Sequence, residues 1–205
     1  MSHGAQETLD FQDGVCAPLA RAIGSAFPPV LDVCCGSKMM WFDKSDGRAI
    51  FMDKRNEQLQ ERDTTRKDGT NHKGYLISVQ PDVVADFTNL PFPDESFWHV
   101  VFDPPHCKGT EARLNGRTGM KYGLLFDGWQ EMLRDGFAEC FRVLKPGGTL
   151  IFKWAETEIP VTEILKLTPM KPIYGHKSGK QQKTHWCAFW KPNGAYQPRG
   201  DKAHE

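Results

Sequence analysis

What this chain lacks narrows it before any motif is read. No apolar run approaches the roughly 18 residues of a membrane span, and Met1-Ser2-His3-Gly4 opens no signal-peptide pattern, so no membrane association is expected. Neither sign of charge is in excess: 26 basic side chains meet 26 acidic ones. No global field therefore recruits a polyanion, and any nucleic-acid contact must be a local patch. The six cysteines (16, 34, 35, 107, 140 and 187) form no CxxC pair. A reduced, cytoplasmic setting with no structural zinc and no metal site is the expectation. A GxGxxG dinucleotide fingerprint is also missing, as is any internal repeat. Apolar content of 39% is modest, which allows a core but implies long polar loops around it.

What is present centres on Asp82 to His106, DVVADFTNLPFPDESFWHVVFDPPH. Its first run, Asp82 to Phe87, is short and β-branched and reads as a buried strand. Leu90-Pro91-Phe92-Pro93 cannot continue it, because each proline removes a ladder donor and restricts its predecessor. His99 to Phe102 forms a second strand that stops at Asp103-Pro104-Pro105-His106. A carboxylate at the carboxyl end of a buried strand, followed by a turn that cannot become helix, sits where open α/β sheets bind ligands.

The same pattern recurs earlier. Val30 to Cys34 reads as a first strand that runs into Cys35-Gly36-Ser37, a small-residue turn that lets backbone N–H groups approach a ligand. Arg48 to Asp53 reads as a second strand, and its terminal acid falls about 20 residues beyond that turn, where an adenosine ribose is commonly caught. Asp53, Asp86 and Asp103 thus end three successive apolar strands.

The remaining chain supplies cover and loops. Residues 1–14 read as a flexible arm, and apolar residues from Val15 to Phe27 fall at helical spacing, with Pro18 tolerated in the first turn. Residues 56–81 are polar and read as a mobile loop or partly helical excursion, with Tyr75 to Val79 as a short strand or the end of that excursion; a solvated surface is the default and a substrate-facing flap the sharper option. Residues 107–123 carry four basic residues and four glycines directly after the DPPH turn, the position of an active-site lid. Asp127 with Gln130 forms a capping-box pattern before an amphipathic helix. Lys145-Pro146-Gly147-Gly148 ends that helix and Thr149 to Trp154 follows as a strand. A weaker helix is predicted over Val161 to Leu167. Two strands, Lys171 to Tyr174 and Thr184 to Trp190, form a closing hairpin, and residues 192–205 read as a flexible tail.

Taken together, the acid-ended strands, ADFTNLPFPDESF, DPPH, VLKPGGTLIF and the closing hairpin are similar to class I S-adenosylmethionine-dependent methyltransferases over about residues 15–191. The resemblance implies an α/β, Rossmann-like, seven-stranded and mostly parallel sheet with helices on both faces and a C-terminal antiparallel hairpin. It implies S-adenosylmethionine as cofactor, held by Asp32, Cys34, Cys35, Gly36 and Ser37 at the methionine end, by Asp53 at the ribose, and by Asp86 with Phe87 at the adenine. Asp103, Pro104, Pro105 and His106 resemble the DPPY-type turn of enzymes that methylate exocyclic amino groups of nucleic-acid bases (N6 of adenine, N4 of cytosine). Two departures are plain: Cys34-Cys35-Gly36-Ser37 replaces the family's glycine-rich turn, and His106 replaces its aromatic.

The chemistry follows from the residue types. An exocyclic amino nitrogen is a poor nucleophile because its lone pair is delocalised into the ring. A carboxylate and a carbonyl that accept its two N–H groups favour the pyramidal, nucleophilic form; Asp103 and the Pro104 carbonyl are the candidates. With no separate target-recognition domain in the sequence, single-stranded or structured RNA or short DNA sites fit better than long duplex sites, and a duplex target must be flipped out. A monomer is slightly favoured. A methyltransferase of a small molecule or protein, and a non-catalytic cofactor-binding subunit, remain the alternatives.

Overall fold

The computed structural model describes residues 27–65, 67–110, 113, 116–179 and 181–194. The predicted arm, the helix expected before Phe27 and most of the tail lie outside the described residues.

In chain order the strands are β1 (Val30–Asp32), β2 (Ala49–Asp53), β3 (Glu57–Gln60), β4 (Thr64–Thr65), β5 (Asn71–His72), β6 (Leu76–Val79), β7 (Val83–Val84), β8 (Phe97–Phe102), β9 (Leu144–Ala155), β10 (Tyr174–Ser178) and β11 (Thr184–Trp190). Helices delimited within the described residues are α1 (Arg117–Tyr122), α2 (Trp129–Val143) and α3 (Val161–Ile164), the last running into a 3-10 turn over Leu165–Leu167. Seven strands form one sheet in the order β10-β11-β9-β8-β1-β2-β7. All neighbours from β9 to β7 pair in parallel, and β11 runs antiparallel to both β9 and β10. This is the expected Rossmann-like sheet with its antiparallel closing hairpin.

Packing explains the order. All five residues of β2 are buried, as a strand covered on both faces requires. The α2 helix lays Leu133, Gly136, Phe137, Cys140 and Val143 against the sheet. There the Phe137 ring meets Phe102 at 5.3 Å and Phe152 at 4.9 Å. A smaller cluster of Cys35, Ala49 and Phe51, with Val30 and Trp41 packed on it, is separate from that main core.

Several local expectations are corrected. The Asp82–Phe87 run pairs as a strand only at Val83–Val84. Its flanking acids turn to other work: Asp82 accepts the Phe51 N–H at 3.0 Å and Asp86 accepts the Thr88 N–H at 3.0 Å. Strand β6 matches the short strand expected over Tyr75–Val79, but in place of the expected loop or partial helix the 56–81 region forms two antiparallel pairs, β3 with β6 and β4 with β5. Its period-two burial is faint in sequence because few of its inward residues, such as Ile77 and Val79, are apolar. The capping box does not form. Gly128, at φ 82°, precedes the helix with no side-chain cap, and Asp127 stands on the cavity rim instead. Strand β9 begins at Leu144, earlier than expected, because Leu144 already pairs with Phe97 of β8; further on, the Gly147 N–H donates to the Lys191 carbonyl at 2.7 Å and Gly148 accepts from Lys191 at 2.9 Å. The first strand of the closing hairpin is Tyr174–Ser178, not Lys171–Tyr174. A Cβ on Gly175 would lie 2.9 Å from the Trp186 carbonyl oxygen, so that glycine belongs inside the pairing rather than in the turn.

Candidate active site

Strand order reverses at β1, which lies between β2 and β8, and the crevice at such a reversal is where open α/β sheets bind ligands. There the carboxyl ends of β1, β2, β7 and β8 surround a cavity of about 550 Å³, a size suited to a cofactor. Cys34, Cys35, Gly36, Ser37, Asp53, Asp86, Phe87, Asp103, Pro104, Pro105 and His106 all line it. Eleven of the twelve sequence-predicted site residues therefore share one cavity.

The exception is Asp32. It is fully buried beneath the turn rather than on the cavity wall, where Oδ2 accepts the Trp41 indole N–H at 2.7 Å and Oδ1 the Cys34 N–H at 3.3 Å. Burial pushes its carboxyl up to about 7, against the downward pull of those two donors. Asp32 thus shapes the turn from below.

The turn itself is held by backbone bonds. The Cys35 N–H donates to the Met52 carbonyl at 2.8 Å, and the Gly36 N–H to Asp53 Oδ2 at 2.9 Å. Gly36 sits at φ 51°, where a glycine relieves strain. Burial drives both the Cys34 and Cys35 thiols well above their ordinary range, so neither is a thiolate nucleophile. These cysteines act as small packing residues with useful backbone.

The three strand-ending acids are tethered differently. Asp53 also accepts the Arg55 N–H at 2.9 Å through Oδ1. Asp86 accepts Lys54 Nζ at 2.8 Å and the Thr88 hydroxyl at 2.9 Å. Burial pushes its carboxyl up, but the Lys54 and Thr88 bonds outweigh that and hold it below the usual range. Asp103 Oδ2 takes Lys153 Nζ at 2.5 Å. The Asp103 side chain is 15% exposed and that of Lys153 22%, so this pair is partly shielded but open to the cavity.

Past Asp103 the prolines turn the chain so that His106 faces two aromatic rings, Tyr122 at 5.5 Å and Trp154 at 6.2 Å. Burial lowers the His106 pKa, partly offset by the Asp103 charge, with Lys153 pushing it down further. The imidazole is accordingly neutral at neutral pH. Helix α1 and the residue after it bring Lys121, Tyr122 and Gly123 to the cavity wall. A Cβ on Gly123 would lie 3.1 Å from Pro105, which keeps this segment close against the DPPH turn.

No family model matches the sequence, and no curated protein matches it. Solved structures do resemble it in chain path, at low identity. A Pyrococcus horikoshii OT3 protein is 17% identical, with 79% of this chain and 81% of that one covered and a TM-score of 0.46. A Thermus thermophilus protein, provisionally described as a DNA modification methylase, is 19% identical at a TM-score of 0.36. The alignment there covers 54% of this chain and spans about half, 52%, of the Thermus protein. The Burkholderia thailandensis 1,6-didemethyltoxoflavin-N1-methyltransferase, solved with S-adenosylhomocysteine, is 11% identical over 86% of this chain and 77% of that one, with a TM-score of 0.46. What this chain does rests on its own site residues.

Three of those residues escape a reading of the sequence. Lys153 lies on β9, whose Phe152 pairs with Phe102 of β8, so the next residue on each strand meets: Lys153 and Asp103. A lysine inside an otherwise apolar LIFKW strand is the available signal. Trp41 follows the first turn in sequence and anchors it through Asp32, a contact no local spacing announces. Tyr122 faces His106 only because α1 folds back.

Proposed function

We propose that the chain is an S-adenosylmethionine-dependent N-methyltransferase that acts on an exocyclic amino group of a nucleic-acid base, in RNA or DNA. The observation that carries this reading is the placement of the Asp103-Pro104-Pro105-His106 turn across one cavity from the Cys34–Ser37 turn and Asp53. An amino acceptor and an adenosine-type cradle share a single space.

The residues fit the cofactor. Asp53 accepts the Gly36 N–H on Oδ2 and the Arg55 N–H and guanidinium on Oδ1, and a carboxylate has about four acceptor sites, so one site on Oδ2 remains for a ribose hydroxyl. Phe87 and Met132 offer an apolar wall for an adenine ring, with Asp86 beside them. When bound, S-adenosylmethionine supplies an electrophilic methyl group.

The chain's own residues do the rest. Lys153 engages Oδ2 of Asp103, and among the described residues Oδ1 has no partner. Oδ1 is therefore placed to accept one N–H of a target amino group while the Pro104 carbonyl accepts the other. Preorganised acceptors of this kind favour the pyramidal nitrogen without reorganisation at the moment of reaction. As the nitrogen gains its fourth bond it carries a surplus proton, for which the Asp103 carboxylate that accepts its N–H is the acceptor. His106 and Tyr122 present ring faces on which a base can stack.

A second reading, a methyltransferase of a small molecule or protein, is favoured by the balanced net charge and by the pairing of Lys54, Arg55, Arg113 and Arg117 with acids. The two separate on one experiment: transfer of labelled methyl to single-stranded DNA, duplex DNA, RNA and a small-molecule extract. Label recovered as an N-methylated base supports the nucleic-acid reading. Cofactor binding by calorimetry, with label only in the small-molecule fraction, overturns it.

A further inference from the structure

A second cavity of about 550 Å³ adjoins the first, and Gly36, Ser37, Met39 and Lys121 line both. Its remaining wall comes from the loop after β1, including Lys38 and Lys44, and from β6, including Ser78. The Ser78 hydroxyl is buried and has no hydrogen-bond partner among the described residues. A buried hydroxyl without a partner costs free energy unless a ligand or water completes it.

The charge of this cavity is one-sided. Lys38 stands 4.0 Å from Asp82 and donates to the Lys44 carbonyl at 3.3 Å. Lys44 and Lys121 also line this cavity, and among the described residues neither forms an ion pair with a carboxylate; the Lys121 ammonium lies 5.2 Å from the Tyr122 ring centroid. Ammonium groups and a serine hydroxyl are donors suited to phosphate oxygens.

The loop is built to stay in place. The Trp41 indole is fixed to Asp32 and lies edge-on to Phe51 at 4.8 Å. Its neighbour Phe42 is thereby turned outward and is fully exposed, at 110% of its reference area. An exposed ring on a pinned loop, two residues before Lys44, offers a stacking face for an unpaired base.

We infer that this second cavity holds a phosphodiester of the nucleic-acid strand that flanks the target base. The strand enters past the shared Gly36–Met39 border, with Lys44 and Lys121 on its phosphate and Phe42 available to a neighbouring base. The inference rests on the nucleic-acid reading and specifies its substrate: a single strand, or one strand of an opened duplex, rather than a free nucleoside.

The test is fluorescence anisotropy of a labelled single-stranded oligonucleotide with the full chain over a salt series, beside methyl transfer to the same oligonucleotide. Lys44→Ala should weaken binding about 3- to 10-fold and lower the salt slope by roughly one phosphate contact. Lys44→Glu should weaken it more, while affinity for S-adenosylhomocysteine stays that of the parent. Phe42→Ala should weaken binding with the slope unchanged. A parent that methylates the oligonucleotide while both Lys44 variants keep its Kd and salt slope overturns this inference alone. Loss of binding in the variants, with no methyl transferred by the parent, supports the phosphate site and sinks the methyltransferase reading. A parent that does not bind the oligonucleotide sinks both.

Discussion

Lys153 Nζ lies 2.5 Å from Asp103 Oδ2, on adjacent parallel strands whose preceding residues, Phe152 and Phe102, are register partners. Both residues line the cavity, and the ion pair occupies one carboxylate oxygen while the other has no partner among the described residues. Two substitutions separate what each partner does.

Asp103→Ala should cut single-turnover methyl transfer about 10²-fold or more, the scale of removing one preorganised polar group from a site where charge develops. Cofactor affinity, read by calorimetry, should change little. The variant also leaves Lys153 unpaired in a partly shielded position, so its melting temperature should drop, and less so in Asp103→Asn. Transfer at the parent's rate would reduce the DPPH turn to a strand terminator.

Lys153→Met removes the orienting cation and leaves the carboxylate. If Lys153 is a positioning residue, kcat should fall about 10-fold, the cost of a misplaced reacting group, with KM nearly unchanged. Lys153→Arg keeps the charge and should recover much of that loss. A Lys153→Met enzyme with parental kcat would mean that the pair matters for packing only.

Asp53 has two connections at once, to the Gly36 N–H and to Arg55. Asp53→Ala should weaken S-adenosylmethionine binding by roughly 1–3 kcal/mol, the scale of a hydrogen bond to a charged group, and should loosen the turn as well. Asp53→Asn retains an oxygen for Gly36, so it should lose affinity while keeping most of the parent's stability. Asp86→Ala should cost less affinity, since its carboxylate is about one-third exposed and shared with Lys54. Calorimetry with unchanged affinity in both Asp53 variants would remove that residue from the site.

Gly136 sits mid-helix in α2, where an alanine would ordinarily be the better helix former by about 1 kcal/mol. Here a Cβ would lie 2.7 Å from Phe87 Cδ2 and 2.9 Å from Phe102 Cζ. Gly136→Ala should therefore destabilise the fold by about 1–3 kcal/mol, the cost of overpacking a tight core, and displace the Phe87 wall of the cavity. A urea midpoint at or above the parent's would show that the helix yields without strain.

That glycine illustrates how far the sequence can be read. Its place in a buried helical face is visible from spacing, but the reason for it is not, because Phe87 approaches from the turn after β7 and Phe102 from the end of β8. The acid-ended strands are legible for a similar reason in reverse: each is a local pattern, and the parallel sheet aligns their ends without further information. Of the β3–β6 and β4–β5 pairs only β6 is legible, as the Tyr75–Val79 strand; the other strands escape notice because a polar hairpin hides its period-two face. Lys153 escapes it because its meaning lies in the register between β8 and β9. Asp32 belongs to the turn that spacing indicates, but its position beneath that turn depends on Trp41 nine residues away.

Asp32 gives the last prediction, a dependence of stability on pH. Its carboxyl is pushed up to about 7 in the folded chain, chiefly by burial, from an ordinary 3.8. The folded state thus holds this proton more tightly than the unfolded one. Its contribution to stability is fully present below about pH 4, is lost as pH rises toward 7, and is constant above that. A shift of this size corresponds to roughly 4 kcal/mol at most. His99 and His106 act in the opposite sense, since burial lowers both and their contribution grows as pH rises. The parent profile alone is therefore a sum, and the variant isolates the acid. Asp32→Asn keeps an acceptor for the Trp41 indole and does not titrate. Losing the Cys34 bond shifts its stability by a constant, whereas the slope between pH 5 and 8 is what Asp32 controls. Urea midpoints measured across that window should fall with pH more steeply in the parent than in Asp32→Asn. Parallel profiles would show that Asp32 is ionised throughout, with Trp41 and Cys34 sufficient to hold its charge in the core.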